Sequence, residues 1–259
     1  AESYRKIRNT FRYLLGNLHD NFSNQEFENL NIEELPELEK YMLNKIFILN
    51  EKFYKNFNSY NFHTLYRELL NFCTNDLSAF YFDIRKDSLY CDSLDSKKRK
   101  SCIIVLEVIL KSLLSWFAPI LSFTTEEIFR LINKEEKNSI HLNEFPKIPK
   151  SWNNEIIENN WKSIIDIRNV VNSSIEIKRA EKSIGSSLEA NVLIKLNSDY
   201  YNLAKNYDLS EICITSGTKL ILDEKLADGI NVETFIAEGI KCNVCWKISK
   251  DKCKRHGHL

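Results

Sequence analysis

Apolar residues recur every three or four positions along most of the first 132 residues, which is the period of helices that bury one face. The longest such stretch, Phe62 to Tyr90, predicts a central helix that is too rich in aromatic residues to stand alone in water. The same period predicts a helix over residues 1–18, another that follows Pro36, and a third that ends before Pro119. We therefore expect the other helices to cover the central one, as in a helical bundle.

Local motifs predict where several of these helices begin and end. Asp95 is a candidate cap for the helix that ends before Pro119, and Thr124 with Glu127 forms a candidate capping box for a short helix after it. A long helix is predicted through residues 157–182, with Gly185 as its stop.

The period changes from helical to alternating after that long helix. Val192, Ile194 and Leu196 alternate with polar residues, and so do Ile212 and Ile214, which is typical of strands. A helix is predicted between these two strands, at Ser198–Asn206. Two more strands are predicted at Leu220–Leu222 and Val232–Ile236. These patterns predict a mainly α protein with a bundle at 1–145, a small α+β domain at 146–237 and a terminal module at 238–259.

Composition narrows the class of protein. The 259 residues carry 36 Lys and Arg against 36 Asp and Glu, so the chain is not a uniformly basic nucleic-acid binder, although local basic patches remain. Apolar content of 43% is enough for a real core, and no apolar run reaches the length of a membrane span. Scattered cysteines within apolar runs are typical of a reducing, cytoplasm-like compartment. The chain opens directly in a helical pattern, so we expect it to be part of a longer protein.

The last eighteen residues contain a candidate metal site with the spacing C-x2-C-x7-C-x2-H. Cys242, Cys245, Cys253 and His256 are two close pairs of the ligands that tetrahedral zinc prefers. The segment has too little apolar mass to fold without a metal, so a single structural zinc ion would supply its folding energy. His258 is an alternative fourth ligand, and incidental thiols in a frayed tail are the alternative to a metal site.

Basic and aromatic residues in three places are candidates for RNA contacts. Trp246 and Lys247 follow the second cysteine, where an aromatic ring among cations suits stacking on an unpaired base; packing of Trp246 against the metal site is the alternative. The second group, three arginines and an asparagine on the first helix, could contact phosphates, and a solvated helix face is the alternative. The third group is the basic end of the long helix, where complementation of the helix dipole is the alternative. These residues are Arg5, Arg8, Asn9, Arg12, Lys178 and Arg179.

The order of five segments resembles the C-terminal part of bacterial-type isoleucyl-tRNA synthetases. The segments are YRKIRNTFRYLLGNL, NFCTNDLSAFYFDIRKDSLYCD, FAPILSFTTEEIF, IGSSLEANV and the KCNVCW knuckle. The resemblance covers nearly the whole chain. The chain departs from the family at CKRH, where a second CxxC is usual, and its segment between the two ligand pairs is shorter.

This resemblance implies a class I synthetase that joins isoleucine to its tRNA with ATP and magnesium. It implies that the present residues are the anticodon-binding bundle, the junction domain and the zinc module. The sequence contains no HIGH or KMSKS string and no other catalytic motif, so we expect no catalytic residue here. The expected partners are isoleucine tRNA and the catalytic and editing domains of the same chain, in a monomeric enzyme. The expected location is the bacterial cytoplasm, with an organelle interior as the alternative.

Two other functions remain compatible with the residues. A related zinc finger ends a family of DNA-repair glycosylases, which predicts binding to duplex DNA with an abasic site. A helical scaffold in which the metal is only a structural staple is the second alternative, and it predicts that metal removal leaves RNA affinity unchanged.

Overall fold

The structure is a computed structural model, and it describes residues 2–18, 27–133, 138–226 and 229–257. It divides into two compact units, residues 1–157 and residues 158–259. The predicted fold class is confirmed, since helices dominate and a small sheet lies near the C-terminus. The predicted division into three domains stays a prediction.

The first unit is a helical bundle with its core between the helices. Its helices are α1 (Glu2–Leu18), α2 (Glu37–Asn58), α3 (Phe62–Asn71), α4 (Phe82–Cys91), α5 (Lys97–Phe117) and α6 (Ser122–Ile132). The largest fully buried side chains include Trp116, Tyr81, Phe11, Phe53 and Phe117. The helical period therefore identified the buried faces correctly.

The predicted central helix is interrupted by a wider helical segment. Residues Phe72–Tyr81, between α3 and α4, form a π-helix, and the Phe82 N–H bonds to the Leu77 carbonyl five residues earlier. Three consecutive aromatic residues at the end of this segment, Phe80, Tyr81 and Phe82, are all buried.

A buried ion pair joins this central element to α2. Glu39 accepts hydrogen bonds from Arg85 Nε and Nη2, both at 2.6 Å, and from the Tyr81 hydroxyl at 3.1 Å. Both charged side chains are almost completely buried. Because buried charges are tolerated only when they are paired, the bundle core depends on this contact.

Three predicted helix ends are wrong. Ser96, not Asp95, caps α5, because its hydroxyl accepts from the Arg99 N–H. No capping box forms in α6, since its N-cap is Leu121 and Thr124 and Glu127 instead bond to α1.

The long helix also ends before Gly185. Helix α7 (Glu155–Ala180) is followed by a turn at Lys182. The φ of Lys182 is 57°, the left-handed conformation that ends many helices. The Lys182 and Ser183 amides bond back to the carbonyls of Arg179 and Lys178. Gly185 therefore lies beyond the turn that stops the helix.

The second unit contains most of α7, a three-stranded sheet and a short hairpin. The remaining elements are β1 (Ala190–Leu196), α8 (Ser198–Ala204), α9 (Leu209–Ile212), β2 (Gly217–Leu222), β3 (Ile230–Ile236), β4 (Ile240–Lys241) and β5 (Ile248–Ser249). The central strand β1 pairs in parallel with β2 and antiparallel with β3. One side of β1 is fully buried, and Ser174 of α7 bonds to Thr234 of β3 at 2.7 Å.

The strand predicted at Ile212 and Ile214 is wrong. Ile212 ends α9, whose first turn is capped by the Asp208 carboxylate. Ile214 has a φ of 56° and lies in the turn after the helix. Two isoleucines two positions apart fit a short helix and its left-handed stop as well as they fit a strand.

Candidate metal centre and nucleic-acid interface

The C-terminal hairpin brings the four predicted metal ligands together. Strands β4 and β5 pair antiparallel, and the Cys242 N–H donates to the Lys247 carbonyl at 2.9 Å across the turn between them. Gly239, with a φ of 129°, precedes the hairpin where a side chain would collide with the Ser249 backbone. We call residues 240–257, the hairpin and the segment that follows it, the knuckle.

The four ligand atoms lie within 4.8 Å of one another. His256 Nδ1 is 3.5 Å from Cys242 Sγ and 3.4 Å from Cys253 Sγ, and the sulfurs of Cys245 and Cys253 are 3.8 Å apart. A tetrahedral zinc ion with bonds of about 2.3 Å to sulfur and 2.0 Å to nitrogen places its ligands roughly 3.5 to 3.8 Å apart. The residues therefore fit a Cys3His metal site. His258, the alternative fourth ligand, lies outside the described residues.

The surroundings of the Cys242 thiol favour its thiolate form. Backbone N–H groups, first that of Cys245, donate to the Cys242 sulfur and lower its pKa to about 6. Burial raises the pKa of Cys245 to about 12. Oriented backbone donors around a sulfur are typical of knuckles that hold a metal, because they stabilise the negative charge that a ligand thiolate carries.

Trp246 projects from the knuckle instead of packing into it. Its side chain is 59% exposed, and its backbone has a φ of 63°. The Lys241 ammonium lies 5.5 Å from the centre of the indole ring, which is a cation–π distance. Lys247, the other predicted contact, is partly exposed, while Lys241 was missed although its position beside Cys242 could have suggested it.

The predicted residues of α1 share an exposed face, but they differ in their partners. Arg8 is bound by both oxygens of Glu127 in α6, at 2.9 and 3.0 Å, and this hydrogen bonding lowers the pKa of Glu127. Arg5 and Arg12 make no ion pair with any residue that the structure describes, and Asn9 is exposed beside them. Among the described residues, therefore, no acid competes with an external anion for the guanidinium groups of Arg5 and Arg12.

The predicted residues at the end of α7 are paired with nearby acids, one in the helix and one directly after it. Lys178 lies 2.8 Å from Glu181, and Arg179 lies 2.6 Å from Glu176. These acids offset the positive charge of the helix end. The candidate RNA contacts thus divide between the two units, with α1 in the first and the α7 end and the knuckle in the second.

Comparison with known proteins identifies the family. Residues 39–194 match the model of the anticodon-binding domain of tRNA ligases. The chain belongs to this family. The match begins in α2 and runs through the bundle into β1, so it covers most of the first unit and the start of the second.

Curated relatives named isoleucine–tRNA ligase match almost the whole chain. The identity is 59% to the protein of Pelagibacter ubique, over 99% of this chain and 28% of that protein. It is 41% to that of Agrobacterium fabrum, over 96% of this chain and 26% of the relative, and 39% to that of Caldicellulosiruptor saccharolyticus, over 95% and 27%. The chain thus spans about a quarter of the length of the relatives it matches.

These findings confirm the resemblance to isoleucyl-tRNA synthetases that the motifs indicated, and they lend no support to the glycosylase alternative. Among the described residues, no helix combines the length and the apolar character needed to cross a membrane.

Proposed function

We propose that this chain is the part of an isoleucine–tRNA ligase that binds the tRNA and recognises its anticodon. The observation that carries the proposal is the match of residues 39–194 to the anticodon-binding domain family, supported by the isoleucine–tRNA ligase relatives along the whole chain. The parent enzyme would attach isoleucine to its tRNA with ATP and magnesium in a catalytic part outside these residues. That part and an editing domain of the same chain are its proposed partners, in a cytoplasmic monomer.

The exposed face of α1 would contact the phosphate backbone of the tRNA. Arg5 and Arg12 are available for this role because no described acid pairs with them. Asn9, on the same face, would add a hydrogen bond. Such contacts position an RNA without reading its sequence.

The knuckle would supply the contact with unpaired anticodon bases. A zinc ion held by Cys242, Cys245, Cys253 and His256 would crosslink a segment that has almost no apolar core. Trp246 offers an exposed ring for stacking on a base, and Lys241 and Lys247 offer charges for the neighbouring phosphates. Single-stranded bases are the usual target of proteins that read RNA sequence.

Lys178 and Arg179 would act more weakly. Each already lies against an acid nearby in the chain, so a phosphate has to compete with Glu181 or Glu176. We assign them a supporting contribution to the positive field instead of a specific contact.

Titration with tRNA transcripts tests the proposal. The chain should bind an isoleucine tRNA transcript tightly at low salt, with affinity that falls steeply as salt rises because counterions are released. Changing the anticodon bases should reduce the affinity at constant salt. Equal affinity for any RNA of similar size would contradict anticodon recognition, and preference for duplex DNA with an abasic site would favour the glycosylase alternative.

A further inference from the structure

The segment IGSSLEA, Ile184–Ala190, connects three parts of the second unit. The Glu189 carboxylate accepts a hydrogen bond from the Gly185 N–H at 2.8 Å, just after the end of α7. The Glu189 carbonyl accepts from the Ala237 N–H at 2.7 Å, just after the end of β3. One short segment therefore fixes the chain that leaves the long helix and the chain that leads into the knuckle.

Ser216 extends this connection to the knuckle itself. Its N–H donates to the Ala190 carbonyl at 3.0 Å, and its hydroxyl donates to the Leu188 carbonyl. The same hydroxyl oxygen accepts from the Ile248 N–H of β5 at 2.7 Å. The hydroxyl is thus donor and acceptor at once, and it joins the IGSSLEA segment to the metal hairpin.

The side chain at position 216 needs a hydroxyl for this arrangement. A hydroxyl offers one donor and two acceptor positions, so it can satisfy a carbonyl and an amide together. An apolar side chain of similar shape would leave both backbone groups without this partner. The hydrogen bond reaches β5 only two residues from Trp246, on the strand that closes its turn.

We propose that Ser216 is a positioning residue for RNA recognition. Its hydroxyl fixes the direction in which the knuckle presents Trp246, by tying β5 to the segment that also holds the ends of α7 and β3. This inference rests on the proposed function, since it concerns how the knuckle meets an RNA base. It assigns Ser216 no contact with the RNA and no role in holding the metal.

A pair of isosteric variants isolates the hydroxyl. Ser216→Thr and Ser216→Val add similar bulk, but only threonine retains the donor and acceptor. We expect the valine variant to show about tenfold faster hydrogen exchange at the Ile248 amide, as expected for loss of one net hydrogen bond. Its affinity for the isoleucine tRNA transcript should fall about tenfold and most of its anticodon discrimination should be lost, while the threonine variant stays near wild type.

The zinc content and the thermal midpoint separate positioning from a general structural role. Both should match between the valine and threonine variants. Ser173→Ala is a control in the same unit, because the Ser173 hydroxyl donates to the Asn169 carbonyl of its own helix at 2.9 Å. That variant should leave tRNA binding unchanged.

The results separate failure of this inference from failure of the proposed function. If the wild-type chain does not discriminate anticodons, the proposed function is wrong. If the wild type discriminates but the valine variant binds as well as the threonine variant, the role of Ser216 is wrong. Loss of zinc or of the folded unit in the valine variant alone would also overturn it, because Ser216 would then be needed for folding and not for positioning.

Discussion

The helical bundle and the knuckle are stabilised by different means. The bundle buries large side chains such as Trp116, Phe53 and Phe117 in a continuous apolar core. Residues 238–257 are described throughout, and the fully buried side chains among them are those of Cys242 and Cys245, two of the proposed metal ligands. The bundle therefore draws its stability from apolar burial, whereas the proposed metal ion would have to supply the stability of the knuckle.

This difference suggests a division of labour in RNA binding. The bundle has enough core to carry the exposed guanidinium groups of Arg5 and Arg12 on α1 without losing its fold. The knuckle is small enough that an exposed tryptophan occupies a large part of its surface, and a metal can hold that ring rigidly. The following predictions test the comparison, from the largest expected effect to the smallest.

Removal of the metal should unfold the knuckle and leave the bundle intact. Structural zinc contributes roughly 10–16 kcal/mol to small metal modules, far more than any single contact in the bundle. Hydrogen exchange in the presence of a chelator, or in Cys242→Ser, should rise throughout 240–257 and stay constant in α2 and α5. Unchanged exchange in the knuckle after loss of zinc would show that the metal is not its source of stability.

Loss of the buried acid in the bundle should be the largest single effect there. Glu39→Gln leaves the Arg85 charge buried without a carboxylate, and breaking such a pair costs about 3–5 kcal/mol. Chemical denaturation of the bundle should report this loss. Asp95→Asn, which breaks an exposed pair with Lys100, is the control and should change the midpoint little. Equal effects of the two substitutions would exclude a special role for burial.

Removal of a guanidinium group that pairs with no described acid should weaken tRNA binding without changing stability. Arg5→Gln and Arg12→Gln should each reduce affinity several-fold and lower the slope of log affinity against log salt by about 1. Arg130→Gln is a matched control, because Arg130 is paired with Glu126 in its own helix. An unchanged slope in all three variants would place the tRNA elsewhere.

Release of Arg8 should have the smallest effect, and in the opposite direction. Glu127→Gln frees the Arg8 guanidinium, so tRNA affinity at pH 7 should rise by about twofold if Arg8 lies on the same RNA-facing surface. No change or a loss of affinity would indicate that Arg8 serves only the contact between α1 and α6.

The same variant has a predictable pH dependence. Because the pKa of Glu127 is lowered in the folded state, the pair stabilises the protein above the ordinary value of 4.5. That stabilisation is lost as pH falls through the lowered pKa. The thermal midpoints of wild type and variant should therefore converge in acid, by a small amount because both side chains are about half exposed.

The sequence predicted the helices well where burial is one-sided. Ile7, Phe11 and Leu14 of α1 are all fully buried, as the helical period indicated. Helix ends were predicted less well, because a residue such as Thr124 or Glu127 can cap its own helix or bond to another one. The choice depends on α1, which is more than a hundred residues away in sequence.

For the metal site and the proposed RNA contacts too, the sequence identified residue types but not partners that are distant in sequence. The spacing of Cys242, Cys245, Cys253 and His256 identified the cluster, because close pairs of ligands need little else to meet. The pattern of α1 identified its cations but not their partners, since it could not show that Glu127 pairs with Arg8 and not with Arg5. Ser216 carries no motif of its own, so its link to Ile248 was invisible before the fold was known.

The sequence by itself determined the buried faces of the helices, the three strands of the sheet, the Cys/His cluster and the family. These features depend on local periodicity and spacing, which are written along the chain. Only the tertiary structure decided that residues 72–81 widen into a π-helix, that Glu39 meets Arg85 and that Ser216 meets the knuckle. The last two depend on groups distant in sequence, which burial forces to find partners that no local pattern identifies, whereas the π-helix changes the spacing of a segment that has an ordinary helical pattern.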